Sequence, residues 1–287
     1  MIRNLPPQAR RGDLRYSFAA LAVIAAYLDI ELIPGKADPF FKFELNAEGG
    51  IPGPALSRLR AIAVALFTLR NLRCFEDFHR RLTTREMSGV FWECFWAHAL
   101  SQDGFKIIAV RETNVRGADF DFTAIKNGRR ICVEVTALTA PTFNETTIFN
   151  ALQTKRAQLP ADKPGVVICV LPEGWFAEDN VHEVLHRCVR RLFGASARVN
   201  AVVFTTEHCV PVEGQAGVWL NRYPLIRHFH ENPRHALDLK DSFLRPDKTE
   251  TEYRRSVTVD EGRRTSENMS SRPYYRWVDS LLDGEAA

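Results

Sequence analysis

Glu134 is the residue whose position most needs a chemical explanation. It lies in the middle of RRICVEVTAL (residues 129–138), a stretch whose alternating β-branched residues are otherwise typical of a strand. A carboxylate inside such a strand costs free energy unless a partner compensates for its lost hydration. Glu134 therefore lies either on a solvated edge of a sheet or in a site that uses its charge.

A turn signal before this strand indicates which residues share a face with Glu134. Asn127–Gly128 is typical of a two-residue hairpin turn, which would pair Lys126 with Arg129. Counted outward, the same register places Asp121 opposite Glu134. Because side chains alternate between the faces of a strand, four polar side chains are predicted to share one side of the hairpin: Asp119, Asp121, Glu134 and Thr136.

Carboxylates that face one another across two strands repel, so their grouping needs a reason. A divalent cation is the natural one, because Mg²⁺ takes hard oxygen ligands and often uses one or two carboxylates together with waters and phosphate. A solvated sheet edge would explain the same acids without a function. The apolar residues around them favour a site.

Two neighbouring helices carry polar groups that can reach this face. Glu93 lies between aromatic residues in GVFWECFWAHAL, before the hairpin. The helix after the hairpin carries Lys155 near the border of its apolar face, together with Gln153 and Gln158. Each of these residues alone is explained equally well by solvent exposure, so the argument depends on their convergence.

The elements that would position these residues alternate regularly. A helix is predicted over about 85–102, with a capping box formed by Thr83 and Glu86 at its start. Five strands and two further helices follow in the order three strands, helix, strand, helix, strand. The strands are FKIIAVRE, ADFDFTAIK, RRICVEVTAL, GVVICVLPE and VNAVVFTTE, and the helices are TIFNALQTKRAQL and NVHEVLHRCVRRLFG. This order predicts an α/β fold with a central mixed sheet flanked by helices.

The regions on either side of this alternation have different patterns. Residues 1–82 are predicted to form a helical region whose arginines lie on its solvated face. Residues 83–210 form the predicted core, and residues 211–287 a C-terminal extension that is partly flexible. In that extension LRPDKTETEYRRSVTVDEGRRTSENMSSRP is polar and lacks periodicity, whereas YYRWVDSLLDG predicts a short helix that docks on the rest of the protein.

Composition narrows the class of protein. The formal net charge of +3 permits a polyanionic partner without arguing for one. The apolar run over residues 18–28 is too short to span a bilayer, and the first residues lack a signal-peptide pattern. The six cysteines form no C-x-x-C pair, and most lie among apolar neighbours, as reduced buried thiols do: Cys74, Cys94, Cys132, Cys169, Cys188 and Cys209. These observations predict a cytoplasmic protein without a membrane partner.

Taken together, the acids and the order of the elements resemble the PD-(D/E)XK nuclease superfamily. That family has a helix–three strands–helix–strand core, an acid in the first helix, an aspartate on the second strand and an E-x-K motif on the third. The matching residues here are Glu93 in FWECF, Asp119 or Asp121 in GADFDF, and Glu134 in VEVT. The resemblance covers roughly residues 87–207 and implies a restriction-endonuclease-like core.

The chain departs from this pattern at the lysine. Thr136 occupies the position two residues after Glu134 where the family has its lysine. In this superfamily the lysine is sometimes supplied by a neighbouring element, and Lys155 in QTKRAQLP resembles such a migrated lysine. Two aspartates also compete for the family's aspartate position, because the hairpin register favours Asp121 whereas the position before Phe120 favours Asp119.

The resemblance implies metal-dependent hydrolysis of phosphodiester bonds, most plausibly in DNA. Asp121 or Asp119, Glu134 and the backbone carbonyl of Val135 would hold Mg²⁺ or Mn²⁺, which would activate a water molecule. Lys155 would orient or activate that water and stabilise negative charge. Glu93 would act at a second metal or behind the first, and Gln153 and Gln158 would support water or phosphate. A homodimer is compatible with this function.

Two alternatives belong to other classes of protein. Thr136 in place of lysine favours a nuclease-fold module that binds nucleic acid or a protein without cutting it. The sequence HEVLH matches the H-E-x-x-H zinc motif, with His182 and His186 as ligands and Glu183 as base. This short pattern arises often by chance, and its neighbours offer no evident third ligand. A toxin or effector enzyme in host defence would be a biological setting for the nuclease.

Overall fold

The described residues before the first strand are mainly helical. The computed structural model describes residues 19–28, 53–72, 75–110, 117–211, 218–237 and 250–258, and positions 115, 213, 239, 242, 244, 276, 277 and 280. Within these ranges, four helices precede the first strand: α1 (Ala19–Leu28), α2 (Gly53–Leu69), α3 (Phe75–Thr84) and α4 (Met87–Gln102). Nearly every residue of α4 from Val90 to Leu100 is buried, so this helix lies in the interior.

The predicted capping box at the start of α4 is wrong. Thr83 belongs to the last turn of α3, and its hydroxyl donates to the carbonyl oxygens of His79 and Arg80. A threonine that bonds back into the preceding turn is unavailable as an N-cap for the next helix. Glu86 occupies the N-cap position of α4 and makes no side-chain cap hydrogen bond.

The eight described strands belong to one sheet. They are β1 (Lys106–Ala109), β2 (Phe122–Lys126), β3 (Arg129–Ala137), β4 (Gly165–Val170), β5 (Val199–Thr205), β6 (His208–Pro211), β7 (Val218–Phe229) and β8 (Glu250–Thr258). The order across the sheet is β1-β2-β3-β4-β5-β7-β6, and β8 pairs with β7. The central pairs β3–β4 and β4–β5 are parallel and the others antiparallel. The prediction of an α/β fold with a mixed sheet flanked by helices is confirmed.

The hairpin between β2 and β3 forms in the predicted register. Asn127 and Gly128 both have positive φ angles, of 52° and 76°, as a type I′ turn requires. Lys126 consequently pairs with Arg129, and the ladder continues to the pair of Phe122 and Val133. The parity that places Glu134 and Thr136 on one face of β3 is therefore confirmed.

Two parallel crossovers place helices on one face of the sheet. Helix α5 (Glu145–Gln158) connects β3 to β4, and α6 (Val181–Ala195) connects β4 to β5 after a 3₁₀ turn at Glu173–Ala177. Asn144 caps α5 by accepting a hydrogen bond from the backbone N–H of Thr147.

Alternation along the strands divides the core into two hydrophobic clusters. The residues Ile131, Val133 and Val135 of β3 pack in the cluster that includes α2 and α4. Cys132 packs in the other cluster, with α5 and α6. Glu134 lies two positions after Cys132 and therefore on the same face of β3, so its side chain starts on the α5 side of the sheet.

The C-terminal extension is more ordered than predicted over part of its length. The polar stretch predicted to be flexible contains β8, whose residues pair along β7 from Val218 to Ile226. The rest of that stretch lies outside the described residues, apart from Leu244. At the far end, the ring of Trp277 packs against Tyr27 at 5.2 Å and Phe67 at 5.0 Å between centroids. The predicted docking of this segment is thus confirmed at Trp277.

Within the part of the chain that the structure describes, no helix combines the length and the apolar character needed to cross a membrane. Cys132, Cys169 and Cys188 are buried thiols, and burial is the main cause that raises the pKa of Cys169 to about 12. Such thiols are inert at neutral pH, in agreement with the predicted reduced state.

Candidate active site

Lys155 contacts Glu134 across the interface between α5 and the sheet. The Nζ atom of Lys155 lies 2.5 Å from Oε1 of Glu134, although 21 residues separate them. The Glu134 carboxylate is buried, whereas the Lys155 side chain retains 22% exposure. A lysine from the helix after β3 thus reaches the carboxylate in the middle of that strand.

Asp121 fills a gap where β2 leaves β3. The β2–β3 ladder ends at Phe122 and Val133, so the backbone N–H of Val135 has no strand partner on that flank. Oδ2 of Asp121 accepts a hydrogen bond from this N–H at 2.7 Å. In return, the backbone N–H of Asp121 donates to Oε2 of Glu134 at 3.1 Å. Two hydrogen bonds therefore hold the carboxylates of Asp121 and Glu134 side by side.

Arg81 of α3 supports the same centre from the opposite layer. Its guanidinium is 1% exposed and donates to Oε2 of Glu93 at 2.9 Å. It also donates to the backbone carbonyl oxygens of Asp121, at 3.1 Å, and Val110. The planar guanidinium suits this task because its donors point in several fixed directions at once. Arg81 thereby fixes the backbone at the point where β2 begins.

Glu93 is engaged by arginines rather than open for a ligand. Oε2 accepts from Arg81, and Oε1 lies 3.3 Å from Nη1 of Arg85. Each oxygen of this carboxylate is therefore engaged by a guanidinium group. This arrangement gives Glu93 a positioning role behind Asp121 and offers no support for the second metal predicted for it.

Burial and mutual repulsion perturb the two central carboxyl groups. Burial, followed by the charges of Glu134 and Glu93, raises the pKa of Asp121 well above its usual range. Burial raises the pKa of Glu134 to about 7, although the charge of Lys155 opposes this shift. For Lys155 itself, burial is outweighed by the charges of Glu134 and Asp121, which raise its pKa. The pair of carboxyls therefore disfavours two full negative charges without an added cation.

The oxygen atoms at this centre are of the chemical type that a small divalent cation binds. Asp121 and Glu134 offer two adjacent carboxylates, and the carbonyl of Val135 points to the same flank of β3 as its N–H, toward Asp121. Across the described ranges, no group of three or more His, Cys, Asp or Glu side chains is arranged to hold a metal ion. Mg²⁺ does not require such a group, because one or two carboxylates suffice when waters and a phosphate complete its shell.

The remaining predicted residues lie around this centre with different degrees of support. Asp119 and Thr136 are half-buried, and the hydrogen bonds that join the centre run through Asp121. Gln158 is three residues after Lys155, and its Oε1 is a buried atom without a hydrogen-bond partner among the described residues. Gln153 is two residues before Lys155, a spacing at which helical side chains do not face each other.

The H-E-x-x-H motif lies elsewhere, on the outer face of α6. His182 and His186 are exposed, and Glu183 forms a salt bridge with Arg187 at 2.6 Å. The ring of His228 from β7 lies 5.8 Å from that of His186. Because Glu183 is already paired and exposed, the arrangement offers no support for the proposed zinc protease.

Arg81 is the main site residue that the sequence argument missed. It was placed with the other arginines on the solvated face of its helix, and this placement is wrong. Phe78, Arg81 and Leu82 are the buried residues of α3, at the spacing i, i+3, i+4 that defines one helical face. The sequence signal for the burial of Arg81 was therefore its place on the apolar face of α3, beside Phe78 and Leu82.

Comparisons with protein-family models, with curated proteins and with solved structures found no match for this chain.

Proposed function

We propose that this protein is a metal-dependent nuclease that hydrolyses phosphodiester bonds, with DNA as the first substrate to test. The observation that carries the proposal is the contact of Lys155 with Glu134 beside the Asp121 carboxylate. Two neighbouring acids and a lysine are the groups that a hydrolytic phosphodiesterase needs for cation binding and charge stabilisation. The resemblance to the restriction-endonuclease-like core supports the same reaction class.

Each residue of the centre has its own role in the proposed reaction. Asp121 and Glu134, with the carbonyl of Val135, would hold Mg²⁺ or Mn²⁺, which supplies an acidified water and neutralises phosphate charge when bound. Lys155 holds its ammonium next to Glu134, where it orients a water molecule and stabilises developing negative charge. Its remaining exposure leaves a path for substrate to approach from the α5 side.

Arg81 and Glu93 act through Asp121 rather than on the substrate. Arg81 donates hydrogen bonds to the backbone carbonyl of Asp121 and to the carboxylate of Glu93. We assign both as positioning residues. Their burial keeps Asp121 within reach of Val135, the geometry on which the pair with Glu134 depends.

The direct test is cleavage of supercoiled plasmid and of labelled single- and double-stranded oligonucleotides with Mg²⁺ or Mn²⁺. Wild-type protein is expected to cut, and Glu134→Ala is expected to be inactive with an unchanged circular dichroism spectrum. Cleavage that persists in Glu134→Ala, or that is unaffected by EDTA, would contradict the proposal. Binding of nucleic acid by wild-type protein without cleavage would instead favour the non-cutting module.

A further inference from the structure

A gap in the sheet creates a second polar feature near the ends of the parallel strands. β5 and β6 lie end to end along one flank of β7, and only Thr206 and Glu207 separate them. These two residues follow β5 at its carboxyl end. In open α/β sheets, ligands commonly bind beyond the carboxyl ends of the parallel strands.

Both residues present buried polar atoms toward this end of the sheet. Thr206 is 2% exposed and Glu207 is 8% exposed. Oγ1 of Thr206 and Oε1 of Glu207 are buried atoms that have no hydrogen-bond partner within the described residues. Buried polar atoms are normally hydrogen-bonded, so two neighbouring exceptions indicate that a ligand or water completes them.

Glu207 is held so that one of its oxygens remains available. Nε of Arg58 contacts Oε2 of Glu207 at 2.6 Å, which leaves Oε1 as the open acceptor. Burial raises the pKa of Glu207, and the charge of Arg58 opposes this shift. A ligand N–H that donated to Oε1 would favour the ionised carboxylate further.

A cavity of about 200 Å³ lies against these atoms. It is smaller than the roughly 300–1,000 Å³ typical of sites for drug-sized ligands, so it suits a single ring-sized group. Its lining is mixed: Trp92, Leu138 and Leu171 supply apolar surface, and Arg58, Glu173, Thr206 and Glu207 supply polar groups.

We infer that this cavity is a pocket for one nucleobase that carries an exocyclic amino group, which donates a hydrogen bond to Oε1 of Glu207. The inference rests on the proposed nuclease function and names a feature of its substrate. A carboxylate acceptor recognises amino groups such as N4 of cytosine, and a neutral base avoids the repulsion that a phosphate would meet. Thymine and uracil lack this amino group.

The pocket is close enough to the candidate active site to serve the same strand of nucleic acid. Leu138 in its wall directly follows the end of β3 and is four positions after Glu134, which corresponds to roughly 13 Å in an extended chain. Trp92 in its wall precedes Glu93 in α4. Enzymes are known to read a nucleotide by displacing its base from the stack and binding it in a pocket through stacking and hydrogen bonds.

The test measures binding without cleavage. Wild-type protein in EDTA is titrated against labelled single-stranded 12-mers of dC, dA and dT at one salt concentration, because equal length fixes the phosphate contribution. We expect dC and dA to bind roughly 5- to 100-fold more tightly than dT. Equal affinities for the three oligonucleotides would overturn the inference.

Two variants identify the atoms responsible. Glu207→Gln keeps the shape but replaces the acceptor with a group that can also donate, so the preference over dT is expected to fall or reverse. Leu138→Phe narrows the cavity and leaves the Arg58 contact intact, so it is expected to abolish the preference if Glu207→Gln fails to fold. A preference unchanged in folded Leu138→Phe would overturn the assignment.

Failure of this inference is distinguishable from failure of the proposed function. Metal-dependent cleavage of dC and dT strands at equal rates, with equal binding, would contradict the base pocket and support the nuclease function. A base preference that depends on Glu207, in a protein that cleaves no nucleic acid, would support the base pocket and contradict the nuclease function.

Discussion

Arg81 and Glu93 form a buried ion pair, with 2.9 Å between Nη1 and Oε2, that joins α3 to α4 directly behind the Asp121 backbone. Removing one partner of such a pair leaves an uncompensated buried charge. We expect Arg81→Met to lower the free energy of unfolding by about 3–5 kcal/mol. Urea denaturation measures this change.

Arg80 provides the matched control for this prediction. It lies one position earlier in α3, is exposed, and lies 3.6 Å from Asp77. We expect Arg80→Met to change the free energy of unfolding by no more than about 0.5 kcal/mol. Equal effects of the two substitutions would contradict the structural role assigned to Arg81.

Lys155 is predicted to be required for cleavage but not for folding. We expect Lys155→Ala to reduce kcat by roughly 100-fold or more, because the substitution removes the cation next to the reacting phosphate. Arg156→Ala removes the neighbouring cation of α5, which faces another direction, and should retain most of the activity. A similar loss in both variants would indicate a general electrostatic effect instead.

Transfer of the lysine to position 136, where the nuclease superfamily that the sequence resembles has its lysine, is a sharper test of the same idea. Thr136 has the parity of Glu134 on β3, so a lysine there would point to the same face. We expect the double variant Lys155→Ala/Thr136→Lys to recover part of the cleavage that Lys155→Ala loses. A folded double variant with no recovery would argue that Lys155 does not substitute for that lysine.

The two candidate aspartates are predicted to differ. Asp121→Asn removes one charge from the pair with Glu134, so we expect loss of cleavage and at least tenfold weaker Mg²⁺ binding by calorimetry. Asp119→Asn should leave both close to wild type, since the hydrogen bonds of the centre run through Asp121. The reverse ranking would assign the ligand to Asp119.

Stability of the metal-free protein is predicted to depend on pH through Glu134. Its pKa is about 7 in the folded state and near 4.5 when unfolded, so the folded state binds more protons between these values. The free energy of unfolding should therefore fall as pH rises from about 4.5 to about 7. Asp121, whose pKa is also raised, adds to this slope. Lys155 and Glu93 also act on Glu134: the charge of the lysine lowers the pKa of Glu134, and the charge of Glu93 raises it.

Glu134→Gln isolates this contribution. The glutamine keeps the shape and does not titrate, so thermal unfolding in EDTA should show a flatter pH dependence than wild type over that range. A slope that is unchanged in Glu134→Gln would show that other groups control the stability.

Local patterns predicted the elements that position Glu134. The Asn127–Gly128 turn fixed the register because only residues that tolerate positive φ permit a type I′ turn. The strand alternation then assigned faces correctly on β3. The helix α5 followed from its apolar spacing, which placed Lys155 near the border of the apolar face. The resemblance to the nuclease superfamily then singled out Lys155 as a residue able to reach Glu134.

Features that depend on distant packing were not predictable in the same way. Arg81 is buried because its guanidinium meets a carboxylate and two carbonyl groups that come together only in the folded protein. β8 is polar along its length and pairs with β7 through backbone hydrogen bonds, which composition does not reveal. The open oxygen of Glu207 likewise depends on Arg58, which is 149 residues away in the chain.

The spread of the active centre along the chain has a consequence for biosynthesis. Arg81, Asp121, Glu134 and Lys155 come from α3, the β2–β3 hairpin and α5, and each requires the others for its contacts. During translation the centre can assemble only after residue 155 has left the ribosome and the layers on both sides of the sheet have packed. A nascent or partly unfolded chain therefore lacks the contacts that define this centre.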